Sequence, residues 1–360
     1  MNEDGKDTGT LTLSAGRLAD FATNILAASG MNDGDAAKAA GLIVEADLCG
    51  ADAHGVFRIP DYHGLLRKGL INATAKVTLE RRDLSTALVD GGNGIGHLSA
   101  IRAAETAIEL AESTGLAWVG VRRSNHSGAT AIYAEHIARR GFVGIFASVA
   151  AANHMAPWGG AEPLLGTNPL AIAIPSAGPA PFVLDFATSV AAFGAVKALA
   201  MAGRDLPDGW VLDRATGAPL TDSTQLSQSV LAPIAEHKGS GLALAIGLIA
   251  GVMNGASFGR DIRSFDQPTE APANVGHFMI AVDPARFIPR AQFETEVARH
   301  LADIEDSMPS AGRSSVRWPG ARRAALRSER LEKGIPLGRT LAKRLDDLAL
   351  QLGCPRLRDL

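Results

Sequence analysis

His54 and Arg58 lie four positions apart in the segment Asp52-Ala-His54-Gly-Val-Phe-Arg58, and together they could serve hydride transfer to a 2-oxo acid. Such a reaction needs three things besides hydride: a proton for the nascent alkoxide, a cation for the carboxylate, and fixed geometry. An imidazole with an unperturbed pKa of about 6.5 can supply the proton. An arginine can hold a carboxylate through two parallel hydrogen bonds, which a lysine cannot. If the segment is helical, the spacing puts both groups on one face, about 5–6 Å apart. Pro60 makes a turn entering a helix equally acceptable, and an exposed helix-entry histidine beside a surface arginine would read the same way.

Three further segments could carry chemistry. Ser124-Asn125-His126-Ser127-Gly128 follows an expected strand and precedes an expected helix, where backbone donors converge. A loop histidine can equally be a satisfied structural group. In Leu184-Asp185-Phe186-Ala187-Thr188-Ser189 an apolar strand runs into polar residues, and Asp185 could orient a histidine or simply belong to a helix cap. His237-Lys238-Gly239-Ser240-Gly241 leads into an apolar run. A helix start with a nearby lysine attracts phosphate, although the Walker spacing is missing.

The elements that must position these groups are read from periodicity and punctuation. Ser14 can cap a helix through Leu18, Phe21, Ile25 and Leu26 that Gly30 ends, and Asp33 or Asp35 opens a second helix ending near Cys49. Pro60 suits the first turn of a third, which Gly69 stops. Strands are expected at 84–90, 116–121, 142–149 and 276–282, with helices at 98–114 and 129–140. The uncharged run 239–256 reads as a buried, tightly packed core helix. From about 291 the chain is helical and charged, with a loop around Pro309 to Gly320. The expected fold is α/β with α+β-like mixing. A helical unit of residues 10–75 and 310–360 is built from both termini around a mixed α/β unit of 76–309 that binds cofactor and substrate.

Composition narrows the function classes. In 360 residues, 46% are hydrophobic and 20% charged, which suits a globular core. Lys plus Arg is 35 against Asp plus Glu at 38, so no basic field for nucleic acid or membrane is expected. Only Cys49 and Cys354 occur, in no ligand spacing, which favours a reducing, cytoplasmic compartment and no metal. The opening MNEDGKDTGT lacks the character of a signal peptide. Asp90-Gly-Gly-Asn-Gly-Ile-Gly96 has GxGxG spacing rather than GxGxxG, so it reads as a tight strand-to-helix turn and not as a Rossmann fingerprint.

Taken together, these segments resemble the type-2 malate/L-lactate dehydrogenase family, which also holds ureidoglycolate, sulfolactate, diketogulonate and piperideine-2-carboxylate oxidoreductases. The resemblance rests on HGVFRIPDY at 54–62, SNHSG at 124–128, APWGG at 156–160 and GTNPLA at 166–171. It continues through LDFATS at 184–189, LPDGW at 206–210, HKGSGLAL at 237–244, WPG at 318–320 and GIPL at 334–337, in the family's order.

The resemblance implies a non-Rossmann fold, a homodimer, NAD or NADP as cofactor, and a small carboxylate substrate. It implies His54 or His126 as acid/base with Asp185 as the paired carboxylate, and Arg58, Tyr62 and Thr167 as substrate contacts. It assigns the dinucleotide to Leu184, Asp185, Phe186, Ala187, Thr188, Ser189, His237, Lys238 and Gly320. The expected activity interconverts a 2-oxo acid and a 2-hydroxy acid. A cyclic imino acid reductase, or a diverged member that binds dinucleotide without turnover, is the alternative. Departures from the family pattern fall at Cys49, Ala53, Ala150, Ala151, Ala152, Gly247 and Ala321.

Overall fold

The computed structural model describes residues 9–81, 83–263 and 271–359. The polar amino-terminal stretch, apart from Gly9 and Thr10, lies outside the described residues. Internal contacts divide the chain into two units, one up to Ala75 and again from Gly320 onward, the other from Lys76 to Pro319.

The first unit opens with β1 (Thr10–Leu13), α1 (Ala15–Ala28), α2 (Asp33–Leu48) and α3 (Ile59–Arg67). Ser14 caps α1 by accepting from the Arg17 amide, and the buried Leu18, Phe21, Ile25 and Leu26 form one stripe on it. α2 is capped by Asn32, one residue before the expected aspartates, and it turns Ala36, Ala39, Ala40 and Ile43 inward. Alanines on this face let α1 and α2 pack closely. Between α2 and α3 lie two short 3₁₀ turns, Asp52–His54 and Val56–Arg58, broken at Gly55.

The second unit follows with β2 (Thr78–Arg81), β3 (Thr86–Asp90), α4 (Gly96–Thr114), β4 (Leu116–Ser124), α5 (Ala131–Arg139) and β5 (Val143–Ser148). Next come β6 (Leu170–Ile174), β7 (Phe182–Phe186), α6 (Phe193–Met201), β8 (Val211–Asp213) and β9 (Ser229–Leu231). α7 (His237–Ile246), β10 (Val275–Val282) and α8 (Arg290–Glu305) complete it. The chain then returns to the first unit with α9 (Ala321–Lys333), β11 (Ile335–Gly338), which pairs antiparallel with β1, and α10 (Arg339–Leu352).

Seven strands form one sheet in the order β2-β3-β4-β10-β5-β6-β7. Only β3 and β4 run parallel, and every other neighbouring pair is antiparallel. A Rossmann sheet is mostly parallel, so this mixed α/β architecture is of another kind. The glycine run at 91–96 is the expected strand-to-helix turn, with Gly92 and Asn93 both in the left-handed region.

One expectation fails. The run at 239–256 is not a buried core helix. α7 continues as a π turn over Gly247–Gly251 and a 3₁₀ turn over Val252–Asn254. Its small residues Ala243, Gly247, Ala250 and Gly251 pack inward, where Gly247 lies against the Phe258 ring. Leu244, Leu248, Val252 and Met253 are 46–60% exposed, so among the described residues nothing covers this larger apolar face. Freedom from charge looked the same in sequence whether one face or both were buried. Among the described residues no helix is long and apolar enough to cross a membrane.

Candidate active site

In the first unit the segment 52–58 is not one continuous helix. The two 3₁₀ turns match the turn-into-helix alternative, with Pro60 in the first turn of α3. His54 and Arg58 are both half-buried. Burial first, and the Arg58 charge second, lower the His54 pKa to about 4. The imidazole is therefore neutral near pH 7 and able to accept a proton.

Arg58 is oriented on two sides. Its Nε donates to the Ala53 carbonyl at 2.9 Å and its Nη1 to Asp61 at 3.2 Å. The guanidinium also stands over the Phe57 ring, 5.5 Å from its centroid. Tyr62 is fully buried on α3, and burial pushes its phenol well up. Gly320 caps α9 in the left-handed region at φ 104°, a conformation that favours glycine.

In the second unit the SNHSG loop is held from several sides. The Asn125 amide donates to the carbonyls of Asn93 and Gly94 at 3.0 and 2.9 Å. A methyl group on Gly96 would stand 2.1 Å from the Asn125 carbonyl oxygen, so glycine there permits close backbone approach. Tyr133 donates its hydroxyl to the Ser127 carbonyl. Behind Ser124 sits a fully buried His277, whose Nε2 lies 2.8 Å from Ser124 Oγ and whose Nδ1 lies 2.7 Å from Ser148 Oγ. Burial pushes the His277 pKa down to about 3, against a backbone hydrogen bond at Asn125 that raises it. The ring is therefore a neutral strut. His126 itself is half-buried.

Asp185 is exposed rather than enclosed at the strand end. It lies near the end of an edge strand, β7, at the margin of the sheet. Its carboxylate accepts from the Thr130 hydroxyl at 2.6 Å and from the Ala131 amide at 3.2 Å, where α5 begins. A carboxylate at a helix start is favoured by the helix dipole, and this start belongs to a helix distant in sequence, not to a local one capped by Thr188 or Ser189. That geometry joins LDFATS to the helix following SNHSG.

The other motif segments converge as well. The Thr167 carbonyl accepts from both the amide and the hydroxyl of Thr188, at 2.9 and 3.0 Å. The Thr188 carbonyl accepts from Ile234 at 2.8 Å, just before α7. Ser240, in the first turn of α7, accepts from the Trp158 amide of the APWGG loop at 2.9 Å. Leu184, Phe186 and Ala187 are half-buried, and Thr188 and Ser189 are buried. Pro319, directly before Gly320, accepts from the Val183 amide at 3.1 Å.

The donors gathered here have the chemistry to hold a phosphate. His237 and Lys238 are exposed on the first turn of α7, where the helix dipole is positive. Ala235 and Glu236 both take positive φ just before them, at 46° and 57°, which fixes an unusual backbone entry. Among the described residues no group of three or more His, Cys, Asp or Glu side chains could hold a metal ion.

Sequence reasoning did not single out Asp47, Thr130, Arg330 or His277. Their partners are far along the chain or, for Asp47, across a turn of unpredictable shape, so no local pattern marks them.

The model of the family described as malate/L-lactate dehydrogenase matches residues 13–346. The (2R)-3-sulfolactate dehydrogenase (NADP(+)) of Chromohalobacter salexigens is 36% identical, covering 87% of this chain and 90% of that protein. The ureidoglycolate dehydrogenase (NAD(+)) of Escherichia coli is 33% identical, over 86% of this chain and 88% of its own. Among solved structures, malate dehydrogenase from Pyrococcus horikoshii superposes with a TM-score of 0.87 at 29% identity, covering 99% of this chain and 100% of that one. The Δ1-piperideine-2-carboxylate reductase of Pseudomonas syringae gives 0.84 at 30% identity, covering 94% and 100%. The mixed sheet, the ordered motifs and these matches lead to one conclusion: the chain belongs to the malate/L-lactate dehydrogenase family.

Proposed function

We propose that this protein is an NAD- or NADP-dependent oxidoreductase that interconverts a small 2-hydroxy acid and the matching 2-oxo acid. The observation that carries this reading is a half-buried imidazole beside a guanidinium, His54 and Arg58, in one segment of a chain of this family. Relatives whose names specify sulfolactate and ureidoglycolate support a small carboxylate as substrate, and their names include both cofactors.

Arg58 holds the substrate carboxylate, with its fork preset by Ala53 and Asp61. His54, neutral at pH 7, takes the hydroxyl proton on a ring nitrogen during oxidation and returns it during reduction. His126 is the second candidate for that proton, and Asp185 steadies the start of α5 beside the SNHSG loop. Thr167 and the enclosed Tyr62 complete the substrate contacts. Lys238, His237, Gly320 and residues 184–189 hold the dinucleotide, with Lys238 and the α7 dipole at its phosphates. The bound nicotinamide would supply or accept the hydride.

The mainly helical first unit carries His54, Arg58, Tyr62 and Gly320, and the second carries His126, Thr167, residues 184–189, His237 and Lys238. A homodimer is supported by the exposed Leu244, Leu248, Val252 and Met253 face, and a reducing cytoplasm by the low cysteine content, Cys49 and Cys354 alone in the sequence. The family's piperideine-2-carboxylate branch makes a cyclic imine the second substrate class.

One assay tests the reading. Cofactor oxidation is followed at saturating NADH and NADPH over a panel of 2-oxo acids and cyclic imino acids. Turnover of a 2-oxo acid supports the proposal, preference for the imine moves the substrate to the second class, and binding without turnover rejects catalysis.

A further inference from the structure

Asp47 occupies a place that two physical effects oppose. It lies in the last turn of α2, where the helix dipole disfavours negative charge, and it is only 2% exposed. Neither helix stability nor solvation accounts for a carboxylate there. Its contacts do. Oδ2 accepts from the Val56 amide at 2.9 Å, and a methyl group on Gly55 would lie 2.0 Å from Oδ1. Gly55 and Val56 lie between His54 and Arg58, so the carboxylate sits directly beneath the break joining the two 3₁₀ turns. Arg330 of α9 ties the same corner together, donating to the Asp47 carbonyl and to the Asp52 carboxylate.

We infer that Asp47 is a positioning residue: its buried carboxylate fixes the Gly55–Val56 backbone and thereby the relative placement of His54 and Arg58. This rests on the reading of His54 and Arg58 as the acid/base and the carboxylate clamp. A single-residue linkage that sets both groups is an economical way to hold a near-attack geometry, where small displacements are costly.

The charged groups that face Asp47 are Asp52 from the first 3₁₀ turn and Arg330 from α9, together with the Val56 amide. Burial is the largest influence and raises the Asp47 pKa to about 7. The Val56 amide opposes it, Asp52 adds to it and Arg330 opposes it. Ionised Asp47 accepts a charge-assisted bond from Val56, and protonation weakens that bond. The hold on the turn therefore tightens as pH rises through neutrality.

The test uses Asp47→Asn, which keeps the shape and an acceptor oxygen but removes the charge, in the full-length protein. The expected result is a fall in kcat/KM for the accepted acid by on the order of 10–100-fold. The dinucleotide Kd should be unchanged, and the rise of activity between about pH 6 and pH 8 should be lost. The His54 ring resonances in a ¹H–¹⁵N NMR spectrum should shift in the variant, and in the wild type they should move as pH passes through neutrality. Unchanged kinetics and unchanged His54 resonances would overturn the inference. So would a lowered melting temperature with the pH profile and KM of the folded protein intact.

If Asp47→Asn does not fold, Gly55→Ala addresses the same contact from the other side. Its methyl group must push the turn off the carboxylate, and wild-type kinetics and resonances in that variant would reject the linkage. Should the wild type turn over no acid or imine, the functional reading fails, while the NMR comparison still decides the positioning.

Discussion

The Arg58 guanidinium and the Asp61 carboxylate stand 3.2 Å apart, and Arg344 reaches the other oxygen of that carboxylate at 3.3 Å. Asp61 thus presents to Arg58 the same kind of group that a substrate would bring. All of these side chains are partly exposed, so the bridge adds little to stability. Its consequence is orientation: the guanidinium of the proposed clamp is held in place before any ligand arrives.

Arg58→Lys should therefore raise the substrate KM at least tenfold, through loss of the planar fork while a charge is retained. A charged hydrogen bond is typically worth about 1.5–3 kcal/mol. Dinucleotide affinity, measured by calorimetry, should stay close to wild type. Equal weakening of both ligands would remove Arg58 from the substrate contacts.

The proton step has its own signature. His54→Ala should lower kcat by about 10²–10⁴ while the cofactor still binds. His126→Ala should do less to kcat and more to affinity, and Asp185→Asn, which loosens the start of α5 beside the same loop, should resemble the His126 change in kind. Since burial and then Arg58 hold the His54 pKa near 4, oxidation by the wild type should lose a step as pH falls toward that value. A carboxylate bound to Arg58 cancels part of that depression, so the step should lie at higher pH in kcat than in kcat/KM. If His126→Ala removes this step and His54→Ala keeps it, the two roles are exchanged.

Lys238→Ala tests the cofactor end. The exposed ammonium on the first turn of α7 adds to the helix dipole, so its loss should weaken dinucleotide binding, and the difference from wild type should shrink with added salt. A glutamine at the same position should not restore affinity. An unchanged Kd by fluorescence titration rejects a phosphate contact there.

How far the sequence carried these assignments depended on the range of the interaction. Caps and amphipathic stripes are local, so Ser14 and the Leu18–Phe21–Ile25 face of α1 were legible. The glycine turn at 91–96 was legible too, yet its reason was not. Gly96 must be small because the Asn125 carbonyl packs on it, a contact made by a distant strand end. Asp185 was read toward a histidine or a cap, and its observed partners on α5 lie more than 50 positions away, at separations of 54 and 55. The helix after Lys238 was misjudged because composition reports apolarity and not which face is covered. Asp47 had no local signal at all, since its significance lies in a backbone amide across two turns.

Thermal stability should rise to a plateau near pH 7, and three buried groups decide why. His54 and His277 have folded pKa values of about 4 and about 3, below the ordinary 6.5. As pH falls below 6.5 the unfolded chain takes up protons that the folded one refuses, so each imidazole costs about 1.4 kcal/mol of stability per pH unit until its folded value is reached. Asp47 works in the opposite sense. Its folded value of about 7 lies above the ordinary 3.8, so stability falls as pH rises through that interval, at a similar rate. Between about pH 4 and pH 6.5 two imidazoles act against one carboxyl, and the net slope favours higher pH. Above 6.5 the imidazole contributions fade together with that of Asp47, and the slope levels off near pH 7. Denaturant melts at several pH values measure this directly. Asp47→Asn should steepen the acid side. His277→Gln should flatten the acid side by one group, at some cost in overall stability from the lost Ser124 and Ser148 contacts. A wild-type maximum well below pH 6, or an acid slope that His277→Gln leaves unchanged, would show that these groups do not titrate as their burial requires.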